Sequence, residues 1–178
     1  MIIWINGAFG AGKSETANEL HMRIPNSFVY DPEILGETLK WVIPKEIKKS
    51  DFQDYAVWRE ANYSFLKYLD SEYEGTIIVP MTIVNPQYFH EIIGRLREDG
   101  IIVEHFVLLA SKETVDKRLL NRGEEINSWA SQQIDRCLQG FTYEVFQPQI
   151  NNEHISISEV AEKIAGMAGI DLLPVTHK

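Results

Sequence analysis

Residues Gly7-Ala8-Phe9-Gly10-Ala11-Gly12-Lys13-Ser14 fit the pattern G-x-x-x-x-G-K-[ST]. The chemistry of that spacing is phosphate binding. Glycines let the backbone curl until successive N–H groups face one anion. The lysine reaches the β- and γ-phosphates of a nucleotide as a point charge, and the hydroxyl after it ligates Mg²⁺. Residues 7–14 and Thr16 are therefore predicted to cradle a nucleotide, with Lys13 as the mobile cation and Ser14 as the metal ligand. ATP and Mg²⁺ are the cofactors implied. A plain glycine-rich turn would satisfy so short a pattern, but the flanks argue for the cradle. Ile2-Ile3-Trp4-Ile5 before it reads as a buried strand, and Ala17, Leu20, Met22 and Ile24 after it read as a helix that ends before Pro25. Such a helix adds its positive N-terminal end to the loop.

The rest of the chain alternates strand and helix signals, which indicates an α/β fold with a five-stranded, mainly parallel sheet flanked by helices. Ser27–Tyr30 reads as the second strand. A helix follows over residues 33–43, and Pro44 and the polar run to Asp51 break it. Phe52–Tyr73 carries Tyr55, Trp58, Ala61, Phe65 and Leu69 at helical spacing. Thr76–Val84 is the most apolar run and reads as a central strand with its exit loop. Asn85-Pro86 is a helix start, as N-cap and first helical residue, and that helix runs to about Asp99. Ile101–Leu109 is the fourth strand. Ser111 caps a helix that ends at Gly123, a polar stretch leads to a helix from Trp129 to about Leu138, and a weak last strand lies within 149–155. Ser156 and Glu159 stand at capping-box spacing before a closing helix. The tail from Asp171 is expected to be loosely held.

Length and composition bound the function. A chain of 178 residues with 44% hydrophobic content makes one domain with a packed core. The net charge of −9, from 17 basic and 26 acidic residues, argues against nucleic acid or an anionic membrane surface as main partner. Cys137 is the only cysteine, so no internal disulfide is expected and a reducing compartment fits. No apolar run reaches membrane-spanning length, and no secretory leader is recognisable. A cytoplasmic location is the expectation.

A P-loop at the start of five strands, at this length, is similar to the small kinases of the nucleoside and nucleotide monophosphate group. Their working parts have candidates here. Asp31, after the second strand, is placed by such folds near the loop, where a carboxylate accepts a substrate hydroxyl proton or holds Mg²⁺ through water. Asp31-Pro32-Glu33 is equally an ordinary helix start, and Glu33 is the reserve candidate. Arg118 and Arg122 lie one helical turn apart before a glycine-containing loop, where these kinases carry a lid (here about residues 118–136) whose arginines clamp the transferring group. Arg136 lies on the returning helix. Residues 33–73 would cover the acceptor. Within them Trp58 and Arg59 are candidates to stack on and hydrogen-bond a ring-bearing or anionic substrate, although an aromatic stripe also reads as core. The third strand ends in Pro80-Met81-Thr82 without the acid that motor-type ATPases carry, and Thr82 is a substitute polar contact. No guanine-specificity motif is present, so ATP is expected over GTP. The five histidines show no metal-ligand spacing.

The strings WINGAFGAGKS, FVYDPE, IIVPMTIV, EIIGRLR, ASKETVDKRL, NSWASQQIDRC and SISEVAEKIA, taken in order, resemble the tunicamycin-resistance ATP-binding protein family over about residues 1–170. The resemblance implies a P-loop protein that binds ATP through Gly7, Gly10, Gly12, Lys13 and Ser14 and protects bacteria from tunicamycin, a uridine-containing nucleoside antibiotic. The fold is also similar to antibiotic phosphotransferases that use an acid after the second strand, which supports Asp31 by analogy. Two functions follow as expectations. One is Mg·ATP-dependent phosphoryl transfer to a hydroxyl of a small molecule such as tunicamycin or a nucleoside. The other is ATP-dependent binding and sequestration of the drug without transfer.

Overall fold

The computed structural model describes residues 1–121, 123 and 129–174. β1 (Ile2–Gly7) is the middle strand of a five-stranded parallel sheet, buried along its whole length. The order is β2 (Ser27–Val29), β3 (Thr76–Pro80), β1, β4 (Val103–Leu109), β5 (Gln149–Asn151). Ile2 stands opposite Ile77 on one side and Val103 on the other. Parallel neighbours need crossovers, and helices on both faces supply them, which is why the strands read as apolar runs rather than alternations. The chain passes to the β3 side of β1 first and to the β4 side later. The C-terminal end of β1 is therefore a switch point, where sheets of this kind bind ligands.

Two clusters of buried side chains, one on each face, hold the layers. Ile2, Trp4, Ile77 and Val79 pack with α3 (Ala56–Glu72) through Trp58 and Leu66. The same cluster takes in Phe89, Ile92, Ile93 and Leu96 of α4, a continuous helical segment made of Pro86–Phe89, a π-helical turn His90–Gly94 and Arg95–Glu98. On the other face Ile3, Ile5 and Ile78 pack with α1 (Lys13–Arg23) and α7 (Ile157–Ala168). Between β2 and α3 lies α2 (Pro32–Val42), and α5 (Lys112–Asn121) and α6 (Trp129–Gly140) follow β4.

Several boundaries differ from the sequence expectation for local reasons. The segment 52–73 is not one helix. Asp51 accepts from Gln53 N–H and caps a separate 3-10 turn, Phe52–Asp54, before Tyr55 turns extended and α3 begins. The strand expected within 149–155 ends at Asn151, because Asn152 turns its side chain to the P-loop. The tail is tied rather than loose as far as Leu173. Arg23 donates to Leu173 O, Leu173 N–H returns a bond to Arg23 O, and the same guanidinium reaches Ser158 and Glu162. The capping box at Ser156 and Glu159 forms as its spacing predicts. No helix among the described residues is long and apolar enough to cross a membrane.

Candidate functional site

The loop between β1 and α1 is a cradle in shape. Gly10 (φ 80°) and Gly12 (φ 97°) take left-handed backbone conformations that other residues resist. A Cβ on Gly10 would also press on Leu119, 3.0 Å away, so α5 packs directly against the loop. Ser14 is exposed at the start of α1, with its hydroxyl free to meet a ligand at the helix N-terminus. Lys13 is 8% exposed and donates from Nζ to Ala8 O at 3.0 Å, above the Phe9 ring. Its ammonium therefore already lies over the loop. Ala8 and Ala11 are buried, and they contribute backbone only. The Thr16 side chain, on α1, is wholly buried, and its Oγ1 has no partner among the described residues.

A buried frame fixes the loop from behind. Asn6 is fully buried, and its Oδ1 accepts from Gly7 N–H and Ile83 N–H while Nδ2 donates to Ile83 O. The amide also lies 3.2 Å from His105 Nε2. Burial and the nearby Arg97 push the His105 pKa down to about 3, so the ring is neutral and serves as acceptor. Thr82 Oγ1 donates to Gly7 O at 2.7 Å. Trp4 Nε1 donates to Met81 O and Gln53 Nε2 to Thr82 O. Where many ATPases place an acid, this chain uses three consecutive backbone carbonyls, each held by a different side chain. Thr82 is 3% exposed and spent on the loop, which corrects its assignment as a substrate contact.

A cavity of about 340 Å³ opens beside the loop, lined by Phe9, Glu33, Glu37, Lys40, Ser50, Asp51, Phe52, Gln53 and Met81. Three acids line it, Glu33, Glu37 and Asp51. Asp31, expected to be the base, accepts from Glu33 N–H at 2.9 Å as N-cap of α2 and borders a separate, mostly apolar cavity lined by Phe28, Ile34, Leu35 and Phe65. Asp31 is thus the helix cap, and its neighbour Glu33 lines the cavity beside the loop. Burial and the Asp31 charge raise the Glu33 pKa, with Lys13 among the opposing cations. A carboxyl with a raised pKa next to the phosphate-binding lysine has the environment of a proton acceptor.

The acceptor-side expectations are corrected in the same way. Trp58 is fully buried, with Nε1 on Pro32 O and its ring against Phe52, so it presents no face to a ligand. Arg59 is 7% exposed. Its guanidinium is paired with Glu91, donates to Gln53 O and lies over the Tyr88 ring. It positions the Phe52–Asp54 turn and is not among the residues that line the cavity beside the loop. Gly36 lets that turn approach, since a Cβ there would lie 2.5 Å from the Phe52 ring.

On the lid side, Arg118 donates to Asn152 O at 2.9 Å and reaches Ala11 O at 3.5 Å. Asn152 Nδ2 donates to Ala11 O at 2.7 Å, and its Oδ1 is buried without a partner. Arg118 thus flanks the far side of the loop. Arg136 on α6 pairs with Asp51 at 3.4 Å, at the margin of the cavity. Arg122 and residues 124–128 lie outside the described residues.

The loop fits Mg·ATP. Gly10 and Gly12 have the conformations that turn N–H groups inward, and Ser14 offers an open hydroxyl. Among the described residues no group of three or more His, Cys, Asp or Glu could hold a metal by itself. Mg²⁺ carried on phosphates needs one or two protein oxygens and water, so the donor set is adequate. Sequence reasoning missed Asn6, Asp51 and Gln53. Asn6 alone carried a signal, a polar residue ending an otherwise apolar buried strand.

Comparison with known proteins places this geometry. The family model described as AAA domain matches residues 2–143. The structure superposes on the tunicamycin resistance protein of Deinococcus radiodurans with a TM-score of 0.83 and 34% identity, covering 98% of each chain. A gluconokinase from Sinorhizobium meliloti (TM-score 0.63, 18% identity, 94% of this chain and 91% of that one) shares the fold. So does a sugar kinase from a Janibacter species (0.67, 16%, 95% and 94%). No curated protein sequence matches significantly.

Proposed function

The chain belongs to the AAA-domain family of P-loop proteins, together with the tunicamycin resistance protein, and from there we propose that it binds ATP and confers tunicamycin resistance by phosphorylating a small nucleoside-type molecule. The observation that supports this best is Glu33, a carboxyl of raised pKa, on the wall of a cavity shared with the phosphate-binding loop.

Bound Mg·ATP supplies the transferable phosphoryl group. The residues then divide the work. The N–H groups of residues 7–14 and the Lys13 ammonium hold the β- and γ-phosphates, and Ser14 is the protein ligand for Mg²⁺. Glu33 would take the proton from the acceptor hydroxyl as the acceptor oxygen bonds to the γ-phosphorus and the bond from that phosphorus to the β-phosphate oxygen breaks, leaving ADP as the departing group and the proton on Glu33. Asp31 holds Glu33 through the helix cap, and burial first, with the Asp31 charge second, keeps the Glu33 carboxyl basic. Arg118 supports the loop from the opposite side, and Arg122 neutralises developing charge. Arg59 acts indirectly, through the turn that carries Gln53.

One feature favours sequestration without transfer. Thr82 occupies the position of the ATPase acid and is committed to Gly7 O. Expression of variants in a tunicamycin-sensitive bacterium separates the two. Lys13→Ala removes resistance in either case. Glu33→Gln removes it under phosphoryl transfer and spares it under sequestration. Undiminished resistance in Glu33→Gln at normal protein level sinks the phosphotransfer reading.

A further inference from the structure

The cavity beside the loop carries charges and free valences that specify its occupant. Phe9, Phe52 and Met81 form its apolar wall, and Glu33, Glu37, Asp51 and Lys40 are its ionisable groups. Lys40 already pairs with Glu37. Asp51 accepts Gln53 N–H on one oxygen and meets Arg136 on the other, 3.4 Å away. Among the described residues that line it there is no arginine, and Arg59 is committed to Glu91 and Gln53 O. Sites for carboxylates and phosphates favour forked guanidinium donors. This one offers three carboxylates against one ammonium.

Gln53 adds an independent observation. Its side chain is 94% buried, being 6% exposed. Nε2 donates to Thr82 O at 2.9 Å, and because a carbonyl oxygen only accepts, that bond decides which end of the amide is which. Oε1 is left buried without a partner, on a residue that lines the cavity. Buried acceptors are nearly always satisfied in folded proteins. An N–H or O–H entering the cavity would supply a donor for it.

We propose that this cavity binds an uncharged molecule through a pair of O–H or N–H donors, such as a sugar diol or a ring imide. Gln53 Oε1 and the Asp51 carboxylate receive the donors, and the acidic lining excludes phosphorylated and carboxylated ligands. That the bound molecule is also the phosphate acceptor rests on the phosphotransfer reading, whereas its binding does not.

Calorimetric titration of the full chain, loaded with Mg²⁺ and a non-hydrolysable ATP analogue, tests this with matched probes. Uridine and tunicamycin are uncharged, and uridine 5′-monophosphate differs from uridine by its phosphate. The uncharged probes bind, and the monophosphate binds about tenfold or more weaker. Glu37→Gln, at an exposed side chain, narrows that gap. Gln53→Leu weakens uridine by about tenfold and the analogue by much less, whereas a role only in the frame behind the loop would move both alike. If Gln53→Leu fails to fold, by its melting curve, the matched probes and Glu37→Gln still decide. Monophosphate binding as tight as uridine, or no binding by either uncharged probe, overturns the proposal. An uncharged probe that binds but yields no ADP from ATP removes phosphotransfer and leaves this proposal standing. ADP formation driven by the monophosphate or by gluconate does the reverse.

Discussion

Replacing Asn6 by leucine tests the frame behind the P-loop. Leucine matches asparagine closely in shape but removes every polar atom. Four groups then lose a partner in a fully buried place: Gly7 N–H, Ile83 N–H, Ile83 O and His105 Nε2. At about 1 kcal/mol net for each bond, the expected loss is about 4 kcal/mol, the upper end of what single substitutions cost. For a chain of this length that is a fall in Tm of about 8–16 °C. The local effect is larger than the global one, because Gly7 opens the phosphate cradle. ATP affinity is expected to fall even in the fraction that remains folded. Urea titration and thermal melting measure the first quantity, and calorimetry with ATP below the melting range measures the second. Thr82→Val is the companion. It deletes one bond, to Gly7 O, and is expected to cost about 1 kcal/mol. A change below 1 kcal/mol for Asn6→Leu, or wild-type ATP affinity, would refute the claim that this amide holds the loop.

Glu33 carries a pH signature in two assays. As proton acceptor it must be ionised, so kcat/KM falls on the acid side with a midpoint above the ordinary carboxylate value of 4.5. Its pKa is raised in the fold, so the stability linked to its proton is present at low pH and is lost as pH rises through the raised value. Glu33→Gln is therefore inactive yet melts higher than wild type at pH 7, and equal or lower melting there contradicts the assigned environment. Gly36→Ala drives a methyl group into the Phe52 ring and is expected to destabilise by about 1–3 kcal/mol despite alanine's better helix propensity. It should weaken acceptor binding more than ATP binding, and equal effects on both would argue against Phe52 as a cavity wall. Arg59→Met leaves Gln53 O without its donor and Glu91 with Gln87 Nε2 alone, at a cost of about 2–3 kcal/mol in denaturant titration. The Glu91 pKa, now held low mainly by that hydrogen bond, rises in the variant and is read by NMR.

The P-loop, the sheet and most helix starts were legible because each depends on local chemistry. Gly10 and Gly12 answer a backbone need, Ser156 and Glu159 cap each other, and Ile2–Ile5 and Thr76–Pro80 are buried on both faces and so lack polar alternation. Asp31 was legible as a helix cap, which the structure shows, but local sequence could not tell that Glu33, two residues on, lines the cavity beside the loop. Trp58 and Arg59 show the same limit on α3. Helical spacing cannot say whether a ring meets a ligand or Phe52, nor whether a guanidinium meets a substrate or Glu91. Gln53 and Asp51 gave no signal, since their role depends on a 3-10 turn that meets Thr82 from 29 positions away.

The mass of tunicamycin after incubation with the protein and Mg·ATP carrying ¹⁸O in its γ-phosphate is the decisive quantity. A gain of one labelled phosphoryl group, absent with Lys13→Ala and with Glu33→Gln, is the result expected. Unmodified tunicamycin recovered from a tight complex with the ATP-loaded protein would contradict phosphoryl transfer to the drug.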